Sequence, residues 1–176
     1  LPMLGNTLTV ALLDAVATQE QQDALVAGLS DSSQRAALAS PGSAVIDTDG
    51  AVLNGVVSDV LDAPSATVLF LRGSRVGQPV WIALPAATAG VTIERSLLAD
   101  TSRSLGTVTL HNVALADAHV LAGNCGPGLD DELLRLAAIA LAADSLGCGN
   151  AVLVATIEYM GVREQFGRLI GSFQAL

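Results

Sequence analysis

The chain has 176 residues, 51% hydrophobic and 14% charged, enough to bury the core of one or two domains and too apolar for a disordered polymer. Its net charge of −9, with eight arginines, no lysine and no basic stripe, sets a phosphate backbone against net repulsion and excludes nucleic acid as the expected partner. Charged residues, Gly or Pro interrupt every apolar run before the roughly 18 residues that a bilayer requires, so no membrane span is expected.

The chain opens Leu-Pro-Met with no basic and apolar leader, and reads as a piece of something longer. From Pro2 to about Leu29 the apolar residues Leu4, Leu8, Leu12, Ala15, Val16, Ala24, Leu25 and Leu29 recur at helical spacing, with Thr18, Glu20 and Gln21 opening a new turn midway. Two short helices are predicted. Between Gln34 and Val120 the period shortens, with β-rich runs at 51–60, 66–72, 79–84, 90–94 and 105–113, punctuated by Asp49-Gly50, Gly73-Ser74 and Gly77. Spacing this regular predicts a compact antiparallel sheet or barrel. Thr107, Thr109 and His111 alternate with Val108, Leu110 and Asn112, so that strand has one buried and one polar face.

Trp81, the sole tryptophan, lies in the apolar run 79–84 and is read as β-core and not as a ring stacked on a cofactor. His111 and His119 sit beside strand ends with no nucleophile motif and no metal-ligand spacing, so neither a hydrolase triad nor a metal centre is expected. Cys125, in a Gly-rich loop, and Cys148, in a helical pattern, share no zinc or redox spacing and read as the reduced thiols of a cytoplasmic protein. After the loop 124–129, the acids Asp130, Asp131 and Glu132 suit the positive end of a helix dipole, and a long helix follows through Leu133, Leu136, Leu141, Leu146, Val152 and Tyr159, with Gly167 as the expected stop. A helix so apolar on every side needs burial that this stretch cannot provide by itself.

The last residues read Tyr159-Met160-Gly161-Val162-Arg163-Glu164-Gln165-Phe166-Gly167-Arg168-Leu169-Ile170-Gly171-Ser172-Phe173-Gln174. This resembles the acyl-CoA dehydrogenase pattern Tyr-x-x-x-Arg-x-Gln-Phe-Gly-x-x-Ile-x-x-Phe-Gln, a match at many fixed positions and far more specific than a lone Gly-rich loop. The order of elements upstream resembles the same family, with Leu53-Asn54-Gly55 at its Gly-x-Lys strand and Asp100-Thr101-Ser102-Arg103 before its late middle-domain strand. The resemblance implies an α+β fold of three parts: the end of an N-terminal helical domain at 1–33, a middle β-domain at 34–123, and the start of a C-terminal helical bundle at 124–176.

The resemblance also implies FAD as cofactor. Arg163 would reach across a subunit interface to the FAD pyrophosphate of a neighbour and Gln174 would contact the same cofactor, with Gln165 and Phe166 flanking that surface. A guanidinium offers a planar fork of donors to phosphate oxygens, and an amide both donates and accepts. The alternative role for Arg163 is to cap the carbonyl end of the helix, with Arg168 solvated.

At three places the sequence departs from the family pattern. Where the family has a hydroxyl residue and a Glu before Pro-Gly, the chain has Ala39 and Ser40. Where it has Trp-x-Thr against the flavin, the chain has Asp59, Val60 and Leu61, and a carboxylate opposes an electron-rich reduced flavin. At the head of the long helix, Arg135, Leu136, Ala137 and Ala138 replace the Asp-x-x-Arg or Glu-Arg that serves the substrate, and Ala137 has no proton to exchange. The catalytic base is expected outside this sequence.

The resemblance therefore implies a subunit of a flavin-dependent acyl-CoA dehydrogenase that completes the FAD site of a neighbouring subunit, as in heteromeric enzymes of sterol-degrading bacteria. Its expected associates are an identical or homologous subunit in a homo- or heterotetramer, an acyl-CoA substrate and an electron-transfer flavoprotein. The alternatives are an ordinary homo-oligomeric enzyme and a non-catalytic scaffold or regulatory subunit of the same fold.

Overall fold

The computed structural model describes residues 3–40, 46–49, 52–121 and 125–173. Two helices open the chain, α1 (Met3–Val16) and α2 (Gln19–Ser30). Thr18 separates them because its hydroxyl accepts from the Gln21 backbone N–H while the Gln21 side chain accepts from the Thr18 N–H, a reciprocal capping box. The Gln21 amide also donates to the Val120 carbonyl at 3.0 Å, tying the start of α2 to the sheet region.

The β-region contains β1 (Ala36–Leu38), β2 (Ile46–Asp49), β3 (Val52–Leu61), β4 (Val68–Arg75), β5 (Gln78–Pro85), β6 (Val91–Arg95), β7 (Leu105–Ala114) and β8 (Val120–Leu121). All five expected strands are present, and the alternation in β7 holds: Val108 and Leu110 are buried, Thr107 and Thr109 only half so. The sheet differs from the antiparallel barrel expected. Its described strands run β6-β7-β3-β1-β4-β5-β8, with β2 beside β3 and β4, and both β1 and β2 pair with β4 in parallel. The sheet is mixed and the order does not close on itself. Strand pattern tells which face is buried, whereas a parallel neighbour is reached by a crossover through β2 and β3 that no local signal announces.

The core of this region joins Leu8, Leu12, Leu13 and Val16 of α1 to Ala36 to Leu38, Leu69 to Leu71, Trp81 and Ile82. Trp81 is fully buried, in keeping with its reading as β-core. Cys125 is buried and burial pushes its thiol above the ordinary value, which disfavours the thiolate; Cys148 is exposed.

A single long helix, α3 (Pro127–Val162), follows, with a proline at its first position and Asp130 in its first turn. It ends at Val162, not at Gly167. Glu164–Gln165 and Arg168–Leu169 form a small hairpin, β9 and β10, and Gly167 is one of its two turn residues. The expectation that every apolar run falls short of a membrane span is also corrected: Gly128–Val162 is long and apolar enough to cross a bilayer by length and composition, because Gly147 and Gly149 do not interrupt the helix. Beyond its first turns that helix has no buried residue in the chain by itself, which equally suits a helix meant for the centre of a bundle. The chain divides into two compact units, Leu1–Ala137 and Ala138–Leu176.

Candidate cofactor arm and the flavin positions of the sheet

Within the second unit, the residues after α3 fold into a short hook. The Arg163 backbone N–H continues the helix by donating to the Tyr159 carbonyl at 2.9 Å, and the Arg163 carbonyl accepts from the Ile170 N–H at 2.9 Å. Between those two bonds Arg168 pairs with Gln165 and Leu169 with Glu164. The turn residues Phe166 (φ 55°) and Gly167 (φ 75°) both have positive φ, the signature of a type I′ hairpin. A turn of 3-10 type at Ile170–Ser172 closes the hook, with the Ser172 hydroxyl donating to the Leu169 carbonyl at 2.6 Å.

Gln165 and Phe166 lie in this hairpin beside Arg163, and all three are exposed, Phe166 to 93%. Among the described residues nothing accepts a hydrogen bond from the Arg163 guanidinium; the helix end is closed by its backbone. Phe166 meets Phe173 edge-on at 6.4 Å between ring centroids, and the Arg168 guanidinium lies 3.8 Å from the Phe173 ring centroid. The alternative reading has Arg168 solvated, and it is exposed; what that reading lacks is the ring five residues on, across a turn that a helical segment does not contain. Gln174 lies outside the described residues.

The positions assigned by resemblance to the chain's own flavin fall together on the sheet. Leu38 pairs with Leu61, which sets the Ala39 and Asp59 segments side by side. Ala39 is fully buried and its N–H donates to the Phe70 carbonyl at 2.9 Å, while Ser40 is exposed. Asp59 is exposed at φ 56°, at an irregularity between Val57 and Val60 in the β3–β7 pairing. Ala39, Asp59 and Leu61 offer a flavin ring neither a hydroxyl donor nor an aromatic face, and the exposed Ser40 hydroxyl stands at the place of the pattern's Glu, so these residues do not fit the pattern's flavin contacts. The residues of the hook do fit an anionic dinucleotide: an exposed guanidinium, an amide and an unshielded ring on a backbone closed by its own hydrogen bonds. At the head of α3, Arg135 is held by Glu132 on the same helix. No group of three or more potential metal ligands occurs among the described residues.

No protein-family model matches the chain. Over 175 residues it is 33% identical to the acyl-CoA dehydrogenase IpdE2 of Mycobacterium tuberculosis, covering 99% of this chain and 44% of that protein. It is 31% identical over 173 residues to the acyl-CoA dehydrogenase FadE34 of the same organism, 98% of this chain and 22% of that one. The chain thus spans less than half the length of these curated relatives. Among solved structures, the ChsE4-ChsE5 complex from Mycobacterium tuberculosis superimposes with TM-score 0.84 at 24% identity, covering 99% of this chain and 49% of that one. A glutaryl-CoA dehydrogenase from Mycobacterium smegmatis in complex with FADH2 does so with TM-score 0.83 at 18% identity, covering 95% and 47%. The fold is that of the acyl-CoA dehydrogenases. The chain is related in sequence to curated members of that family along nearly its whole length.

Proposed function

We propose that this chain works in a flavin-dependent acyl-CoA dehydrogenase, as a subunit whose hook completes the FAD site of a neighbouring subunit. One observation carries this reading: the hook keeps Arg163, Gln165 and Phe166 exposed on a closed backbone, while Ala39, Asp59 and Leu61 hold nothing suited to a flavin. Arg163 would hold pyrophosphate oxygens through its planar fork of donors, Gln174 would bind a polar edge of the same cofactor, and Gln165 and Phe166 would cover it from solvent. The bound flavin would supply the hydride acceptor for α,β-dehydrogenation of an acyl-CoA thioester, and the base that takes the α-proton lies outside these residues. The neighbour is a homologous subunit, a reading supported by the likeness to one chain of the ChsE4-ChsE5 complex. A sterol-derived or fatty acyl-CoA, an electron-transfer flavoprotein and a cytoplasmic setting complete the proposal.

The test is flavin absorbance of the protein purified alone and after co-expression with a homologous acyl-CoA dehydrogenase subunit. The expected result is flavin only in the co-expressed assembly, with Arg163→Ala weakening its retention about tenfold to a hundredfold, the range for charge-assisted hydrogen bonds of about 1.5 to 3 kcal/mol. Stoichiometric flavin in the lone protein would restore the ordinary homo-oligomer; flavin in neither sample would leave a scaffold of the same fold.

A further inference from the structure

Arg72 and Asp62 are the buried charged residues among those described, and Arg72 stands in an apolar setting. It opposes Trp81 across the β4–β5 ladder, with its guanidinium carbon 5.7 Å from the indole centroid. Nη1 donates to the Cys125 carbonyl at 3.2 Å and Nη2 to Asp130 Oδ2 at 2.6 Å. One guanidinium on a central strand thus grips both the backbone leading into α3 and the acid of its first turn. All of these groups belong to the first unit.

Such a pair is a poor device for stability alone. Asp130 Oδ1 is buried too and no described residue donates to it, and buried ion pairs are commonly matched or exceeded by apolar side chains of similar volume. What the pair adds is direction. At the head of α3, Leu133 is buried and Leu129 and Leu136 are half-buried, an apolar stripe along one face, while Asp131, Glu132, Leu134 and Arg135 are exposed. Apolar burial is non-directional, and that stripe fixes which face turns inward but not how far along its axis the helix sits: a slide of about one turn would exchange Leu133 for Leu129 or Leu136 on the same face. Only one register brings the Cys125 carbonyl and the Asp130 carboxylate to the same guanidinium.

We propose that Arg72 is a register lock for the first turns of α3: a positioning residue that selects one axial setting of the helix head on the β4–β5 surface. The test uses Arg72→Met, Asp130→Leu and the double variant in the full-length protein, with melting temperature and amide hydrogen exchange of residues 128–137 as readouts. Arg72→Met leaves a half-buried carboxylate alone, and its melting temperature should fall by about 10 °C. In the double variant the melting temperature should return to within about 2 °C of the parent, while exchange over 128–137 stays at least about tenfold faster. A double variant with parental protection over 128–137 would overturn the lock and leave the pair as ordinary packing. So would an Arg72→Met variant with unchanged exchange. Neither readout involves flavin, so this inference and the proposed function can fail separately.

Discussion

Phe166 is the residue at which local energetics and proposed role conflict most openly. It is 93% exposed at φ 55°, the first central position of a type I′ turn that Asn occupies most readily, and a bulky L residue there costs roughly 1 to 2 kcal/mol. The edge-on contact with Phe173 offsets part of that cost. A ring held strained and bare points to function. Phe166→Asn is therefore expected to leave the melting temperature unchanged or raise it, while flavin retention in the co-expressed assembly falls several-fold. Loss of stability without loss of flavin would mark Phe166 as a structural residue only. The motif residues Arg163, Gln165 and Phe166 were visible in the sequence because their spacing is fixed along a continuous segment. The strain at Phe166 and the stacking of Arg168 on Phe173 were not, since both depend on a hairpin that a helical reading of Tyr159 to Gly167 does not contain.

At the scale of elements, the start of β6 depends on Gly90. Its φ is +89°, its carbonyl accepts from the His111 N–H at 2.9 Å, and a Cβ there would lie 2.3 Å from the His111 carbonyl oxygen. A backbone oxygen cannot yield as a flexible side chain can. Gly90→Ala is expected to destabilise by about 3 kcal/mol or more, combining the left-handed penalty with displacement of β6 from β7, as measured by urea unfolding. A change below about 1 kcal/mol would mean the strand ends relax freely. The five longer strands were legible from alternation and turn residues. The strands β1, β8, β9 and β10 were not, because two or three residues carry no detectable period, and Ala36–Leu38 is buried throughout.

For the molecule as a whole, α3 is the dominant fact. Leu146, Val152, Leu153, Ile157, Tyr159 and Val162 are each more than half exposed, on all sides of one helix. Contiguous apolar surface of this extent marks an interface or a helix awaiting neighbours. The 176-residue chain by itself is expected to self-associate with concentration in sedimentation velocity, and Leu146→Glu with Ile157→Glu should reduce that association. A chain that stays monomeric as its concentration rises would contradict this.

Taken alone, the sequence determined the helix pair before the sheet, the buried faces of the long strands, Trp81 in the core, the unusual apolarity of α3 and the motif at its end. Each is written in periodicity or in contiguous spacing, which a chain carries before it folds. Only the tertiary structure decided the parallel pairing of β1 and β2 with β4, the hairpin at Phe166 and Gly167, the neighbouring placement of Ala39 and Asp59, and the meeting of Arg72 with Asp130. These depend on which distant segments come together, and non-directional apolar burial leaves that choice to packing and to a few polar contacts across 58 residues of chain.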